Sequence, residues 1–123
     1  MKVLCADDEP DLRTILELAL SIDPSLEVEI VSSGAELLER ASQRRYDAFL
    51  LDGMMPGLDG YETCRRLKQD PTTASIPVVF LTAKTQQEEV RRAMSLGATA
   101  CLTKPFDPLT LATELRAVLE PGS

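Results

Sequence analysis

Five short apolar runs alternate along the chain with stretches in which apolar residues recur at helical spacing. The runs cover Lys2 to Ala6, Glu27 to Val31, Ala48 to Leu51, Val78 to Leu81 and Ala100 to Leu102, and they read as strands. After the first, Leu12, Ile15, Leu16, Ala19 and Leu20 follow the i, i+3, i+4, i+7, i+8 spacing of an amphipathic helix, leaving Asp11, Arg13 and Glu17 for solvent. The last stretch repeats the pattern with Leu111, Ala112, Leu115, Val118 and Leu119. Helix starts are marked too. Ser33 with Glu36 and Thr85 with Glu88 have capping-box spacing, Asp59 with Glu62 resembles it, and Asp107-Pro108 reads as an N-cap followed by Pro at N1. Gly97 suits the end of the fourth helix.

Strict alternation of strand and helix predicts an α/β fold, a doubly wound parallel sheet of five strands with helices on both faces. The runs at 48–51 and 78–81 are continuously apolar, as central strands buried on both faces require. The run Val28-Glu29-Ile30-Val31 carries a charge, which an edge strand tolerates.

Composition narrows the picture. A chain of 123 residues fits one domain, and a domain of that size buries roughly two-thirds of its unfolded surface, enough to fold without metal or disulfide. No apolar run approaches the roughly 20 residues of a membrane helix, and the opening MKVLCADD lacks a signal peptide's apolar core, so a cytoplasmic protein is expected. The tail after Leu119 reads equally as a natural end, the start of a linker to a further domain, or a cloning remnant. Cys5, Cys64 and Cys101 are odd in number, widely spaced and free of any CxxC pattern, which favours buried thiols over disulfides or zinc. A net charge of −7 argues against direct nucleic-acid binding. The chain has no histidine, so carboxylates are left to do any chemistry.

In an open α/β sheet, ligands bind beyond the carboxyl ends of the strands. Asp7, Asp8 and Glu9 follow the first strand, Asp52 ends the third, Thr82 the fourth and Lys104 the fifth. Ending a buried apolar run on a carboxylate is costly unless something faces it. If the first and third strands are neighbours, Asp7, Asp8 and Asp52 meet, and like charges about 4 Å apart repel by roughly 4 kcal/mol per pair at an effective dielectric near 20. Such a cluster calls for a cation, and hard oxygen ligands favour Mg²⁺. Lys104 supplies a second positive charge, and the Thr82 hydroxyl a hydrogen bond to an anion beside the metal. Each residue alone has a plainer reading: Asp8 or Asp11 as a helix cap, Asp52 as a turn former, Lys104 as a solvated charge, Met54 and Met55 as gap fillers. Those readings do not explain why all of the polar groups gather at one rim.

The motifs ADDEP (6–10), LLDGMMPGLDG (50–60), LTAK (81–84) and LTKPF (102–106) resemble, at these spacings, those of the receiver domain of two-component response regulators, the CheY-like family. The resemblance covers essentially the whole chain, so residues 1–123 are expected to form a single receiver domain, either stand-alone or the N-terminal part of a longer protein. It implies strand order 2-1-3-4-5 and Asp52 as phosphoacceptor. It also implies Mg²⁺ held by Asp8, Asp52 and the backbone carbonyl of Met54, with Asp7 acting mostly through water. Thr82 and Lys104 would bind the phosphoryl oxygens, and the Lys104-Pro105 bond would be cis. The implied donor is a phosphohistidine on a sensor histidine kinase or histidine phosphotransfer protein, which fits a chain without histidine. A carboxylate nucleophile forming an aspartyl phosphate, with cations neutralising charge, is sound chemistry for these residues. On this resemblance the domain is a signalling switch that controls binding of a downstream protein or output domain, and an enzyme only toward its own phosphorylation and dephosphorylation. Self-association through the face of the fourth helix, fifth strand and fifth helix stays open.

Two positions depart from the family pattern. Cys101 stands three residues before Lys104, where an aromatic switch residue is common, so the small thiol leaves room near Thr82 or lets a partner side chain fill it. Gly53 replaces a common apolar residue beside the nucleophile, which suggests either tolerance of a close backbone approach or nothing at all. Cys101 is the best argument for the alternative of a phosphorylation-independent interaction domain. A Mg²⁺-dependent aspartyl phosphatase of the haloacid dehalogenase type places a DxD motif after its first strand, whereas Asp7 and Asp8 are adjacent here. A flavodoxin would need a first loop rich in Ser, Thr and Gly.

Overall fold

The apolar runs become the five strands of one parallel sheet in the order β2-β1-β3-β4-β5. The structure, a computed structural model, describes residues 1–55, 57–83 and 87–120. Strands and helices alternate as β1 (Lys2–Ala6), α1 (Pro10–Ser21), β2 (Glu27–Val31), α2 (Gly34–Gln43), β3 (Ala48–Asp52), α3 (Gly60–Gln69), β4 (Val78–Ala83), α4 (Gln87–Ser95), β5 (Ala100–Lys104) and α5 (Leu111–Leu119). The charged run at Glu29 is indeed an edge strand, and β3 and β4, apolar throughout their expected spans, lie inside the sheet.

Both faces of the sheet are covered, which is why the central strands tolerate no polar face. On one face Val3, Cys5, Leu50, Val79 and Leu81 pack with Leu16 and Leu20 of α1 and Leu111 and Leu115 of α5. On the other, Leu4, Phe49, Leu51 and Phe80 pack with Leu37 of α2, Tyr61 and Leu67 of α3 and Ala93 of α4. The stripe on α1 is narrower than its spacing implies: Leu16, Ala19 and Leu20 are buried, while Ile15 turns outward with Leu18 and Ile22. Strands β4 and β5 outrun their apolar stretches, because the backbone ladder continues through Thr82 with Thr103 and Ala83 with Lys104 regardless of side-chain polarity.

Caps form where expected, with two changes. Ser33 accepts from the Glu36 amide at 3.1 Å, Asp59 accepts from the Glu62 amide at 2.8 Å, and Gly97 takes φ +96° just past α4. The Glu36 carboxylate, however, returns to the Ser32 amide and hydroxyl, one residue earlier than a capping box. Asp107-Pro108 opens a turn before α5 rather than α5 itself. The Asp107 carboxylate accepts from the Leu109 amide and its carbonyl from the amides of Thr110 and Leu111, which delays the helix to Leu111. Neither Asp8 nor Asp11 caps α1, whose N-cap position is Glu9, followed by Pro10. Thr85, the expected cap of α4, lies outside the described residues.

Candidate functional site

Parallel register brings the strand ends together. Ala6 stands opposite Leu51, and Asp52 opposite Leu81. The residues just beyond β1 therefore sit beside the end of β3, and Thr82 one step beyond the partner of Asp52. At this rim Asp7, Asp8 and Asp52 each present a carboxylate oxygen within 4.8 Å of the others. Asp7 and Asp52 are buried and Asp8 half-buried.

One cation faces two of these acids. The Lys104 ammonium lies 3.0 Å from Asp52 Oδ2 and 3.6 Å from Asp7 Oδ2. The second distance is Coulombic reach without a hydrogen bond, so Asp7 Oδ2, though paired by charge, is left without a hydrogen-bond partner. Its other oxygen accepts from the Glu9 amide at 3.0 Å. Burial, chiefly, holds the Asp7 carboxyl above the usual range, against the opposing pull of the Glu9 amide and Lys104. Asp52 Oδ1 accepts from the Met54 amide at 3.1 Å, closing a tight turn after the strand. The loop is tightened further where α3 begins: a Cβ on Gly60 would lie 2.3 Å from the Asp52 carbonyl oxygen, so only glycine fits. Arg13 of α1 donates to the Asp7 carbonyl at 2.9 Å and pins the other side.

The Thr82 hydroxyl is buried and has no hydrogen-bond partner. Buried polar atoms are almost always paired, so an unpaired hydroxyl at a rim calls for a partner from solvent or a ligand. Asp52, Met54, Thr82 and Lys104 line one open pocket of about 300 Å³ together with Glu9, Leu81, Ala83 and Glu89. Hard carboxylate oxygens, one of them orphaned and buried, form a donor set that suits a small divalent cation better than a soft metal. The Lys104-Pro105 bond is cis.

The outlying positions resolve differently. Met55 is core while Met54 is exposed at the pocket. Cys5, Cys64 and Cys101 are all free thiols; burial, with a smaller push from Asp7, raises Cys5 to about 12. Cys101 is half-buried beside Phe80 on the α3 face of the sheet. Both backbone and a side chain approach Gly53: the Gly60 amide donates to its carbonyl at 3.3 Å, and a Cβ there would lie 2.8 Å from the hydroxyl oxygen of Tyr61. Sequence reasoning passed over Tyr61, and also over Glu89, which reaches the pocket from α4. The only cue to Tyr61 was the glycine beside the terminal carboxylate. Lys84 of the LTAK motif and Pro56 lie outside the described residues. No described helix is long and apolar enough to cross a membrane.

A family model described as response regulator receiver domain matches residues 3–116. Among curated proteins the chain is similar to the phosphate regulon transcriptional regulatory protein PhoB of Pseudomonas aeruginosa, 37% identical over 119 residues that cover 95% of this chain and 51% of that protein. It is 39% identical over 118 residues to the response regulator PleD of Caulobacter vibrioides, covering 95% of this chain and 26% of that protein. The chain thus spans about half the length of the first of these relatives and less of the second. Among solved structures, chemotaxis response regulator CheY4 of Vibrio cholerae superposes with a TM-score of 0.87 at 33% identity, over 95% of this chain and 97% of that one.

Proposed function

The chain belongs to the response regulator receiver domain family of two-component systems, and from that premise we propose that Asp52 accepts a phosphoryl group from a phosphohistidine on a sensor histidine kinase or histidine phosphotransfer protein. Asp52 oxygen would attack phosphorus, an O–P bond forming as the P–N bond breaks and its electron pair returns to the imidazole. The observation that carries this reading is the meeting of Asp52, Lys104 and an unpartnered Thr82 hydroxyl at one open rim. Lys104, paired with Asp52 at 3.0 Å, would neutralise phosphoryl oxygens, and the unpartnered Thr82 hydroxyl would donate to them. Phosphoryl transfer is mostly positioning and charge neutralisation, so these groups suffice on the protein side. Mg²⁺ would be held by Asp7, Asp8, Asp52 and the Met54 carbonyl, and supplies further charge neutralisation when bound. The modified state would control binding of an output domain or a separate protein in the cytoplasm.

Intact mass tests the proposal. Incubation with Mg²⁺ and acetyl phosphate, and in parallel with a phosphohistidine donor, is expected to add one labile phosphoryl group to the wild type and none to Asp52→Asn. No gain with either donor would overturn it in favour of a phosphorylation-independent interaction domain.

A further inference from the structure

Tyr61, at the start of α3, is almost fully buried, 1% exposed. Its ring lies nearly parallel to Phe80 of β4, with centroids 5.2 Å apart and planes at 17°. The Arg92 guanidinium of α4 sits 4.3 Å over the ring, the geometry of a cation–π contact. Its hydroxyl occupies the space beside Gly53 that a side chain would take, where an added Cβ would come within 2.8 Å of the oxygen and 2.9 Å of ring carbon Cζ. That hydroxyl has no hydrogen-bond partner. Burial, then the charge of Glu89, pushes it up to about 12, so it stays a neutral donor in search of an acceptor.

These contacts place Tyr61 between two things that need connecting. Gly53 is the residue after Asp52, and its carbonyl accepts from the Gly60 amide next to Tyr61, so a change in the backbone there reaches the tyrosine directly. Strand alternation puts Thr82 on the same face as Phe80, and Thr82 is the other buried hydroxyl on this rim without a partner. On the far side of the ring, Arg92 is exposed on α4. Cys101, the register partner of Phe80 on β5, packs against the same cluster, in which the ring stacked on Phe80 comes from α3. Close-packed interiors transmit displacement rather than absorb it.

We propose that Tyr61 is a positioning residue that couples the state of Asp52 to the surface of α4, its hydroxyl following the Gly53 backbone and its ring carrying Arg92. The proposal rests on the reading of Asp52 as phosphoacceptor. With no tryptophan and only Tyr46 as a second tyrosine, the full chain labelled with fluorotyrosine has an internal control for fluorine NMR, assigned by Tyr46→Phe. Phosphorylation by acetyl phosphate and Mg²⁺, verified by mass on the same sample, is expected to move the Tyr61 resonance and leave that of Tyr46. It is also expected to shift the Arg92 amide. In Tyr61→Leu the mass gain persists and the Arg92 shift is lost; in Tyr61→Phe, which keeps the ring stack and carries the test if leucine does not fold, that shift is at least halved. A full mass gain with a stationary Tyr61 resonance, or an undiminished Arg92 shift in the variants, overturns the coupling while the phosphoacceptor reading stands. Absence of any mass gain, with acetyl phosphate and with a phosphohistidine donor, overturns the phosphoacceptor reading, and the coupling falls with it.

Discussion

Two regions of this molecule hold strand carboxylates against cations, and they differ in what is left over. At the edge of the sheet, Glu29 of β2 accepts from Arg40 and Arg44 at 3.0 Å each and from the Tyr46 hydroxyl at 2.7 Å. One acid meets two cations and a donor, and nothing is left unpaired. At the carboxyl rim three acids gather, two of them share one lysine, and Asp7 Oδ2 and Thr82 Oγ1 have no hydrogen-bond partner. Both regions are made of the same kinds of group, carboxylates, cations and hydroxyls. A satisfied network rigidifies; an unsatisfied one holds binding capacity for something that arrives from outside.

The largest effect expected of that difference is a response to Mg²⁺ confined to the rim. A ligand that binds only the folded state at a hundredfold excess over its Kd stabilises by about 2.7 kcal/mol, so thermal or urea unfolding with and without Mg²⁺ should show a gain of that order. Asp8→Asn should remove the gain, and Glu29→Gln should keep it. A gain lost equally in both variants would erase the distinction between the regions.

Next in size is the edge network itself. Glu29→Gln is expected to cost about 1–2 kcal/mol at neutral pH, the range between a half-exposed ion pair and a charge-assisted hydrogen bond. The Tyr46 hydroxyl, before the arginines, lowers the folded-state value for Glu29. A carboxyl depressed on folding contributes stability above its unfolded value and loses it as pH falls through the folded one. The gap between wild type and Glu29→Gln, followed by urea midpoints, should therefore be full at neutral pH and close in acid. A gap that widens in acid would mean that Glu29 is not held ionised by its neighbours.

The smallest effect has the opposite sign. Asp7→Asn in the metal-free protein should raise the midpoint slightly, by under about 1 kcal/mol, because burial opposes ionisation of Asp7 and the isosteric amide removes repulsion from Asp8 and Asp52. Most substitutions destabilise, so a rise of any size marks the rim as arranged for something other than stability. With Mg²⁺ present the order should reverse, wild type above Asp7→Asn, in the same unfolding measurement.

Much of this was legible in the amino-acid order, and the misses share a cause. The edge position of β2 was visible in one charged residue, and the rim acids in their place after apolar runs. The outward turn of Ile15, the delayed start of α5 and the displaced partner of Glu36 were not, because each was decided by which competing contact lay closer once the chain had folded. Tyr61 is the sharpest case. It sits in a helix of mostly polar residues, and nothing local distinguishes it from a half-exposed aromatic.

The sequence alone determined the alternation of elements, the parallel sheet and the chemistry available at its rim, since periodicity, capping residues and carboxylates at strand ends act over a few neighbours. Only the tertiary structure decided that Lys104 reaches Asp52 before Asp7, that Thr82 is left without a hydrogen-bond partner, and that Tyr61 of α3 stacks on Phe80, the register partner of Cys101. Those outcomes depend on distances of a few tenths of an ångström between residues far apart in the chain, which strand register and close packing set.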